Sequence, residues 1–287
     1  MKSVSVALKS HLALEVTTLA TCWKVTLKIP RPSDGKQVFG FTDHAADLVV
    51  DSVTYVASTG YTASAIQTSG ALNVDNLEVD GGLDSEAITE TDILAGLWDF
   101  ADIEIFQVNY ADLTQGTMKL RKGNLGEVRT GRGTFVAELR GMMQKLQQAT
   151  GYLVLPGCNA DLGDARCGVN LSLFTNTTSV TSVVSNSFFV ASALASQPNG
   201  WYNGGKLTWL TGNNAGLSME VKSFSTASAE FVLTIPMPFE VQAGASFSVY
   251  AGCDKSLATC VSKFNNVVNF RGFPHLPGIN ALASGKG

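Results

Sequence analysis

Two pairs of cysteines, in the stretches GCNADLGDARCG at 157–168 and GCDKSLATCV at 252–261, stand on either side of a long segment that is nearly without charge. That segment, 171–250, is dense in Ser, Thr and Asn, and turn-type stretches such as PNGWYNGG divide it into strand-length runs. Such runs bounded by Gly and Asn predict short strands. We therefore predict a small all-β module of about five or six strands at 171–250. It would be inserted between 151–170 and 251–287, which would come together as a cysteine-cluster subdomain.

The preceding residues, 1–150, are predicted to form a β-rich domain with a few short helices. The stretch CWKVTLKIPRPSDGKQVFGF has the pattern of two strands joined by a turn. Helices are predicted within 4–20, after Thr89 as an N-cap, and at 134–149, where apolar residues share one stripe. Further strands are predicted at 49–57, 72–79, 103–110, 117–121 and 124–129. The chain as a whole is expected to be mainly β, of the α+β class.

Composition narrows the class of protein. Of the 287 residues, 45% are hydrophobic and 15% are charged, and no run approaches the roughly 20 apolar residues that span a bilayer. Lys9, His11 and Glu15 interrupt the apolar residues near the N-terminus, which argues against a signal peptide. The motifs G-x-S-x-G, H-E-x-x-H and the P-loop are all missing. We therefore predict a β-rich protein that is made in a cytoplasm and is not an enzyme of those classes.

Charge is distributed unevenly along the chain, although the net charge is only −4. The stretch 37–118 contains many acids and no Lys or Arg, whereas basic residues concentrate before it and at 119–145. Such a stretch can form a solvated acidic face, repel a polyanion or meet a basic neighbour. It does not predict a DNA-binding face, because contacts to phosphate need Lys and Arg.

Of the five cysteines, Cys22 stands alone and is predicted to be a buried thiol. For Cys158, Cys167, Cys253 and Cys260 the residues leave four alternatives open: buried thiols, two disulfides, a zinc site or an iron–sulfur cluster. Glycine and polar neighbours disfavour core packing, and a cytoplasmic protein with a large core seldom needs disulfides. Zinc sites favour closer cysteine spacings, while longer loops can wrap a [4Fe–4S] cluster held by four thiolates. Spacing alone does not decide between them.

The stretch TDHAAD brings Asp43, His44 and Asp47 close together in the sequence. Two carboxylates and an imidazole can indicate acid–base or metal chemistry. A loop stabilised by hydrogen bonds from backbone N–H groups to the Asp side chains is the simpler interpretation.

Two longer phrases contain the cysteine pairs: CNADLGDARCGVNL, which begins at Cys158, and GCDKSLATCVSKFNNVVNFRGFPHLPG, which ends at Gly278. They resemble the paired signatures of phage tail-tip hub proteins, namely the lambda-like minor tail proteins of long-tailed phages and the hub proteins of gene transfer agents. The similarity extends upstream through GFTDHAADLVVDSVTY, LNVDNLEVDG, ITETDILAGLWDFADIEIFQVNY and VAELRGMMQKLQQATG. It covers essentially the whole chain, although the module at 171–250 is similar mainly in pattern.

The resemblance implies a structural virion protein that is not an enzyme. It would form a homotrimeric ring at the distal end of the tail tube, in the tail tip or baseplate, after assembly in the host bacterial cytoplasm. Its partners would be the ring of distal tail protein, the tape measure protein, a central tail-tip or fibre protein that binds the receptor, and a tail peptidase on a separate chain. DNA would only pass through the lumen during genome ejection.

The resemblance also implies a ligand set. Cys158, Cys167, Cys253 and Cys260 would hold a structural [4Fe–4S] cluster, and zinc or an empty site would follow its oxidation. Two other functions are kept as alternatives: an iron–sulfur redox or electron-transfer protein, and a disulfide-bonded carbohydrate-binding β protein, suggested by the Trp, Tyr, Asn and Gly residues of 198–216.

The hub interpretation gives the acidic stretch a role. A lumen wall that carries carboxylates and no basic groups would repel the DNA backbone and let it slide. At ~0.15 M salt this repulsion fades beyond about 8 Å, so only side chains that line the lumen would matter. Several of the following are predicted to face the lumen: Asp75, Glu78, Asp80, Asp84, Glu86, Glu90 and Asp92.

Overall fold

A computed structural model describes residues 4–57, 62–63, 76–82, 88–130, 134–141 and 151–276. The chain divides into two compact units, Met1–Ala149 and Thr150–Gly287. Each unit contains one large β-sheet, and the helices among the described residues are few and short. The prediction of a mainly β protein with short helices is confirmed.

The first unit contains a nine-stranded sheet with the strand order β3-β4-β2-β1-β7-β8-β9-β6-β5. Its strands are β1 Leu19–Thr26, β2 Val38–Thr42, β3 Leu48–Val50, β4 Val53–Ala57, β5 Thr62–Ala63, β6 Asn76–Gly82, β7 Asp102–Asn109, β8 Thr117–Thr130 and β9 Thr134–Gly141. Neighbouring strands pair antiparallel, apart from the parallel pair β2 and β4. Helices α1 (Val6–Leu12) and α2 (Glu90–Leu94) and a 3-10 turn (Leu113–Gln115) complete its regular elements among the described residues.

Local signals in the sequence account for several of these elements. The hairpin β1–β2 is confirmed, and its connecting loop contains the ion pair of Arg31 with Asp34 at 2.5 Å. The predicted N-cap is also confirmed, because the Thr89 side chain accepts a hydrogen bond from the Asp92 N–H. The first helix is shorter than predicted, since it ends at Leu12.

The region 134–149, predicted as a helix, is instead strand β9 as far as Gly141, and 142–149 lie outside the described residues. β9 pairs with β8 on one side and β6 on the other. Its last residues alternate between polar and apolar: Glu138 and Arg140 form an ion pair at 2.9 Å, while Leu139 between them is fully buried. Pairing on both edges therefore outweighs the helical spacing of the apolar residues.

The remaining strand predictions were close but differ in their bounds. The stretch 49–57 is divided into β3 and β4 by Asp51 and Ser52, which both have positive φ angles. The two strands predicted at 117–121 and 124–129 are one continuous strand, β8, whose pairing with β9 is irregular between Leu125 and Val128. A bulge of this kind bends a strand without ending it.

A compact apolar cluster lies on one face of the first sheet. The rings of Tyr55 and Phe106 meet edge to face at 5.4 Å within it. Its buried members are Ala20, Cys22, Leu48, Val50, Tyr55, Phe106 and Val108. Cys22 is fully buried, as predicted, and burial raises the pKa of its thiol to about 11. Cys22 is therefore a core side chain.

The second unit contains a seven-stranded antiparallel sheet with the strand order β10-β16-β13-β14-β15-β12-β11. Its strands are β10 Thr175–Ser179, β11 Ser182–Ser185, β12 Phe188–Val190, β13 Lys206–Trp209, β14 Ser218–Ser225, β15 Glu230–Leu233 and β16 Ser246–Tyr250. One short helix follows, α3 (Leu257–Ser262), together with 3-10 turns at Leu171–Phe174, Ser192–Leu194 and Val267–Asn269. The strand count of seven exceeds the five or six predicted.

An aromatic cluster fills the second sheet. Phe189 on β12 contacts both Trp209 on β13 and Phe247 on β16, with ring centroids 5.4 Å apart in each case. Because β14 and β15 lie between β12 and β13 in the strand order, these contacts require the sheet to curl around its own inner face. Phe231 on β15 lies within 5.7 Å of Phe189 and Phe247. The curled sheet therefore has its own core.

Among the residues that the structure describes, no helix is both long enough and apolar enough to cross a membrane.

Candidate functional site

The segments that precede and follow the second sheet, 151–170 and 251–276, run beside each other. The backbone N–H groups of Cys158, Asn159 and Phe273 donate to the carbonyls of Lys255, Arg271 and Leu155, at 2.8, 3.3 and 2.9 Å. At Gly272 the two backbones approach so closely that a Cβ atom would lie 2.6 Å from the carbonyl oxygen of Pro156. Apart from α3 and short turns, neither segment has regular structure.

The four predicted ligands all lie in these two segments as free thiols. Cys167 and Cys260 are buried, and Cys158 and Cys253 are half-buried. Burial raises the pKa of Cys260, and the negative charges of Cys158, Cys253 and Cys167 raise it further. Burial is also the main cause of the raised pKa of Cys253. The negative charge of Cys158 raises this pKa further. Cys260 is therefore close enough to the other three cysteines to interact with them electrostatically.

The loop before Cys167 is shaped by one carboxylate. The Asp164 side chain accepts hydrogen bonds from the backbone N–H groups of Cys167 at 2.6 Å and of Arg166 at 2.9 Å. Its other oxygen accepts from the N–H of Asp161 at 3.1 Å. These hydrogen bonds lower the pKa of Asp164, and the bond from the Cys167 N–H has the largest effect. An aspartate that satisfies several successive N–H groups fixes a tight turn, and this turn positions Cys167.

Of the second pair of cysteines, Cys253 lies in the loop before α3 and Cys260 within the helix. Ser256 caps the helix, because its hydroxyl oxygen accepts from the Thr259 N–H at 3.2 Å. Cys260 follows in the same short helix, and its N–H donates to the Ser256 carbonyl at 3.1 Å. The cap therefore sets the position of Cys260 relative to the loop that carries Cys253.

Hydrogen-bonding groups surround three of the sulfur atoms. The Arg271 N–H donates to the Cys158 Sγ at 3.4 Å, and the Asn266 side-chain amide lies 3.7 Å from the Cys167 Sγ. The Cys260 thiol donates to the Asn266 carbonyl at 3.3 Å. N–H groups directed at sulfur stabilise thiolates and tune iron–sulfur sites.

Positive charge lies next to the thiols. The Lys263 ammonium is half-buried, donates to the carbonyls of Trp201 at 2.5 Å and Gly252 at 2.8 Å, and lies 4.5 Å from the Trp201 ring centroid. Burial lowers its pKa, and the charge of Cys253 opposes this shift. Lys255, on the same loop, donates to the Ala160 carbonyl at 2.6 Å. These cations would offset the negative charge of deprotonated cysteines.

The cysteine segment joins the second sheet through a very close backbone contact. The Gly252 N–H donates to the Trp201 carbonyl at 3.0 Å. A Cβ atom at Gly252 would lie 1.8 Å from the carbonyl oxygen of Asn203, so no other residue fits there without a backbone shift. Gly252 therefore allows the chain to leave β16 directly into the cysteine loop.

The described donors do not form a group around a single metal ion. No group of three or more His, Cys, Asp or Glu side chains that could hold a metal ion occurs within the described ranges, which end at residue 276. The chemistry of the donors nevertheless fits a group with several iron atoms. Four unpaired thiols come from two paired segments, three of them lie within electrostatic range of Cys260, and N–H donors and cations lie nearby.

The other candidate residues do not form a site. The Asp43 carboxylate accepts from the Thr21 N–H, and that of Asp47 from the Ala57 N–H, each at 2.7 Å. The His44 ring interacts with the backbone of Ala46 at 3.0 Å. These contacts agree with the simpler interpretation of TDHAAD as a hydrogen-bonded loop.

The acidic stretch meets basic residues within its own unit. On the central strand β7, Glu104 stands opposite Lys24 of β1 and Lys122 of β8, and the Lys122 ammonium lies 2.7 Å from its carboxylate. Asp102, also on β7, forms an ion pair with Lys28 at 2.6 Å. The uneven charge along the sequence is thus partly balanced by strand pairing.

One of the predicted lumen residues is excluded by its burial. Asp92 is only 6% exposed and lies 3.4 Å from the Arg31 guanidinium, so it faces the interior of its own unit. Asp75, Asp84 and Glu86 lie outside the described residues, Glu78 and Asp80 lie on β6, and Glu90 is exposed.

Sequence reasoning did not single out Asn266, Lys263 or Arg271. All three stand within the second signature phrase, after the last cysteine. An amide, an amine and a backbone N–H carry no ligand signal of their own, and only the folded loops show that they surround the sulfurs.

Comparisons with known proteins agree with this architecture. Residues 5–170 match the family described as baseplate hub protein, N-terminal attachment domain. Residues 200–280 match the family described as phage conserved hypothetical protein BR0599. A search of the curated proteins finds no match.

Among solved structures, a chain in the virion of a native gene transfer agent particle is 38% identical. The similarity covers 96% of this chain and 94% of that chain, with a TM-score of 0.87. This is a phage tail protein of the baseplate class, and the chain belongs to the baseplate hub protein family. Its location is the tail tip of the virion.

Proposed function

We propose that this hub protein is a structural, non-catalytic subunit that holds a [4Fe–4S] cluster through Cys158, Cys167, Cys253 and Cys260. The observation that carries the proposal is that the four unpaired thiols lie on two segments, distant in sequence, whose backbones hydrogen-bond to each other. The cluster would fasten 151–170 to 251–276, which have little regular structure of their own.

The surroundings of the thiols support this choice over a single metal ion. Zn–S bonds of about 2.3 Å draw four sulfurs into a tight tetrahedron. A [4Fe–4S] cluster has an iron atom at each ligand sulfur and accommodates thiols that lie farther apart. The described thiols interact electrostatically but do not form a single-ion group. Because ligation requires thiolates, binding would displace the protons of Cys253 and Cys260, whose pKa values are raised mainly by burial.

The alternative functions have less support. A disulfide-bonded protein would need paired cysteines, and all of them are free. A carbohydrate platform at 198–216 would need exposed aromatic faces, whereas Tyr202 and Trp209 are fully buried and the Lys263 ammonium lies over Trp201. Membership of a virion family favours a structural role for the cluster over electron transfer.

The proposal extends to the assembly. Three copies would form a ring at the end of the tail tube, in contact with the distal tail protein, the tape measure protein and a central tip or fibre protein. A tail peptidase would be a separate chain, and DNA would only pass through. Copy number in purified particles tests the ring, and any number other than three would contradict it.

The cluster is tested on full-length protein purified without oxygen. We expect a brown chain with about four irons and four sulfides, the composition of this cluster. The double variant Cys167→Ser/Cys260→Ser should lose both the colour and the iron, because it removes one ligand from each segment. The matched control Cys22→Ala, which removes a thiol outside the site, should keep them. A colourless wild-type chain without iron, or one that holds a single zinc ion under these conditions, would overturn the proposal.

A further inference from the structure

We infer that Asn266 is a positioning residue for the cysteine site: it holds Cys167 and Cys260 together and directs an N–H group at the Cys167 sulfur. This inference rests on the proposed function, since it concerns how the chain would hold and tune the same cluster. Asn266 itself contributes no ligand atom.

Asn266 contacts both segments through different atoms. Its side-chain amide donates to the Cys167 carbonyl at 2.6 Å and lies 3.7 Å from the Cys167 Sγ. Its backbone N–H donates to the Cys260 carbonyl at 3.0 Å, and its own carbonyl accepts from the Cys260 thiol at 3.3 Å. One residue therefore links a cysteine of the first pair to a cysteine of the second.

A neighbouring amide fixes which end of the Asn266 side chain faces the sulfur. The Asn269 side chain donates to the Asn266 Oδ1 at 2.8 Å. Because an amide oxygen only accepts, this contact and the Cys167 carbonyl together require the NH₂ group to point at Cys167. The donor end is thus assigned by the hydrogen-bond network on both sides.

The chemical consequence concerns charge on the sulfur. A donated N–H stabilises the extra negative charge that a cluster gains on reduction, so it raises the reduction potential. The same contacts hold Cys167 and Cys260 in place before metal arrives, which favours binding. Loss of the amide donor should therefore lower both the retention of iron and the potential.

The test compares two neighbouring asparagines that receive the same new charge. Asn266→Asp keeps the shape of the side chain but replaces its donor by an acceptor. Asn265→Asp is the control, because Asn265 is exposed and takes no part in the contacts of Asn266 with Cys167 and Cys260. We expect Asn266→Asp to release iron to a chelator about 10–100-fold faster than wild type. We also expect its reduction potential to be lower, with both properties unchanged in Asn265→Asp.

A second variant covers the case in which Asn266→Asp retains no cluster. Asn269→Ala removes only the bond that orients the Asn266 amide, so it should bind the cluster and show a smaller shift of the potential in the same direction. If wild-type protein holds no cluster, the proposed function itself is wrong. If wild type holds one and Asn266→Asp and Asn269→Ala match it in iron release and potential, or Asn265→Asp shifts equally, the role of Asn266 is wrong.

Discussion

Both sheets have an apolar core, but they differ in what else stabilises their central strands. The nine-stranded sheet places complementary charges on its central strands, where Glu104 is flanked by Lys24 and Lys122. The curled seven-stranded sheet encloses a cluster of aromatic rings, at the centre of which Phe231 contacts other rings at 4.8–5.7 Å. Exposed ion pairs contribute little and depend on salt, whereas buried rings contribute several kcal/mol.

The comparison shows where a stable platform is needed. The irregular cysteine segments begin and end beside the aromatic sheet, and Lys263 donates to Trp201 in a loop of that sheet. A platform with a large aromatic core can hold such segments in place even though they have little regular structure of their own.

The largest expected effect is in the aromatic core. Phe231→Ala should destabilise the second unit by about 3–5 kcal/mol, because Phe231 is fully buried among Phe189, Phe224 and Phe247. Chemical denaturation monitored by tryptophan fluorescence measures the loss. The matched control Phe100→Ala, at a side chain that is 64% exposed, should change stability little. Equal effects of the two variants would contradict the assignment of the core.

An intermediate loss of stability is expected from the buried ion pair of Arg31 and Asp92 in the first unit. Arg31→Met should cost about 1.5–3 kcal/mol, because it leaves the buried Asp92 carboxylate without the guanidinium beside it. Thermal unfolding measures this loss. Lys28→Met, which breaks the exposed pair with Asp102, is the control and should have a much smaller effect. A loss in Lys28→Met as large as that in Arg31→Met would show that burial is not what matters.

The smallest effect is expected on the exposed face of the first sheet. Glu104→Gln should cost about 0.2–1 kcal/mol at low salt and less at high salt. The hydrogen bond from Lys122 lowers the pKa of Glu104. Its contribution is therefore present above the ordinary glutamate pKa of about 4.3 and is lost as pH falls below it. Denaturation at several pH values should show a smaller loss of stability at low pH in Glu104→Gln than in wild type, and not its disappearance, because the pKa of Asp102 and of other carboxylates is also lowered. A variant that keeps the wild-type pH dependence would exclude Glu104 as its source.

Local signals in the sequence predicted much of the fold. The turn residues between β1 and β2 and the capping Thr89 act on their immediate neighbours, so the sequence alone identifies them. β9 was missed because Leu139 fits a helical stripe and a strand equally well. Only its pairing with β6 and β8, which are distant in sequence, selects the strand.

The sequence singles out the four cysteines, whose role as ligands stays a prediction, but it does not reveal what surrounds them. The spacing of the cysteines left four alternatives open, and the resemblance of both signature phrases to hub proteins selected one of them. The contacts of Asn266 and Lys263 depend on how two irregular segments pack against their surroundings. No periodic pattern of apolar residues in the sequence indicates this packing. The distribution of charge along the sequence did not reveal these neighbours either. The register between strands places Glu104 opposite Lys24 and Lys122, and that register cannot be read from the sequence.

The close contact at Gly252 also limits how such proteins can be recombined. A designer who wished to replace the curled sheet with that of a relative would have to transfer the loop containing Asn203 together with the junction at Gly252, because the two backbones leave no room for a side chain between them. A graft that transferred only one of these two positions would place a Gly252 from one protein against an Asn203 loop from another, and the two backbones would not fit. The natural unit of exchange is therefore the sheet with both of its cysteine-bearing flanks.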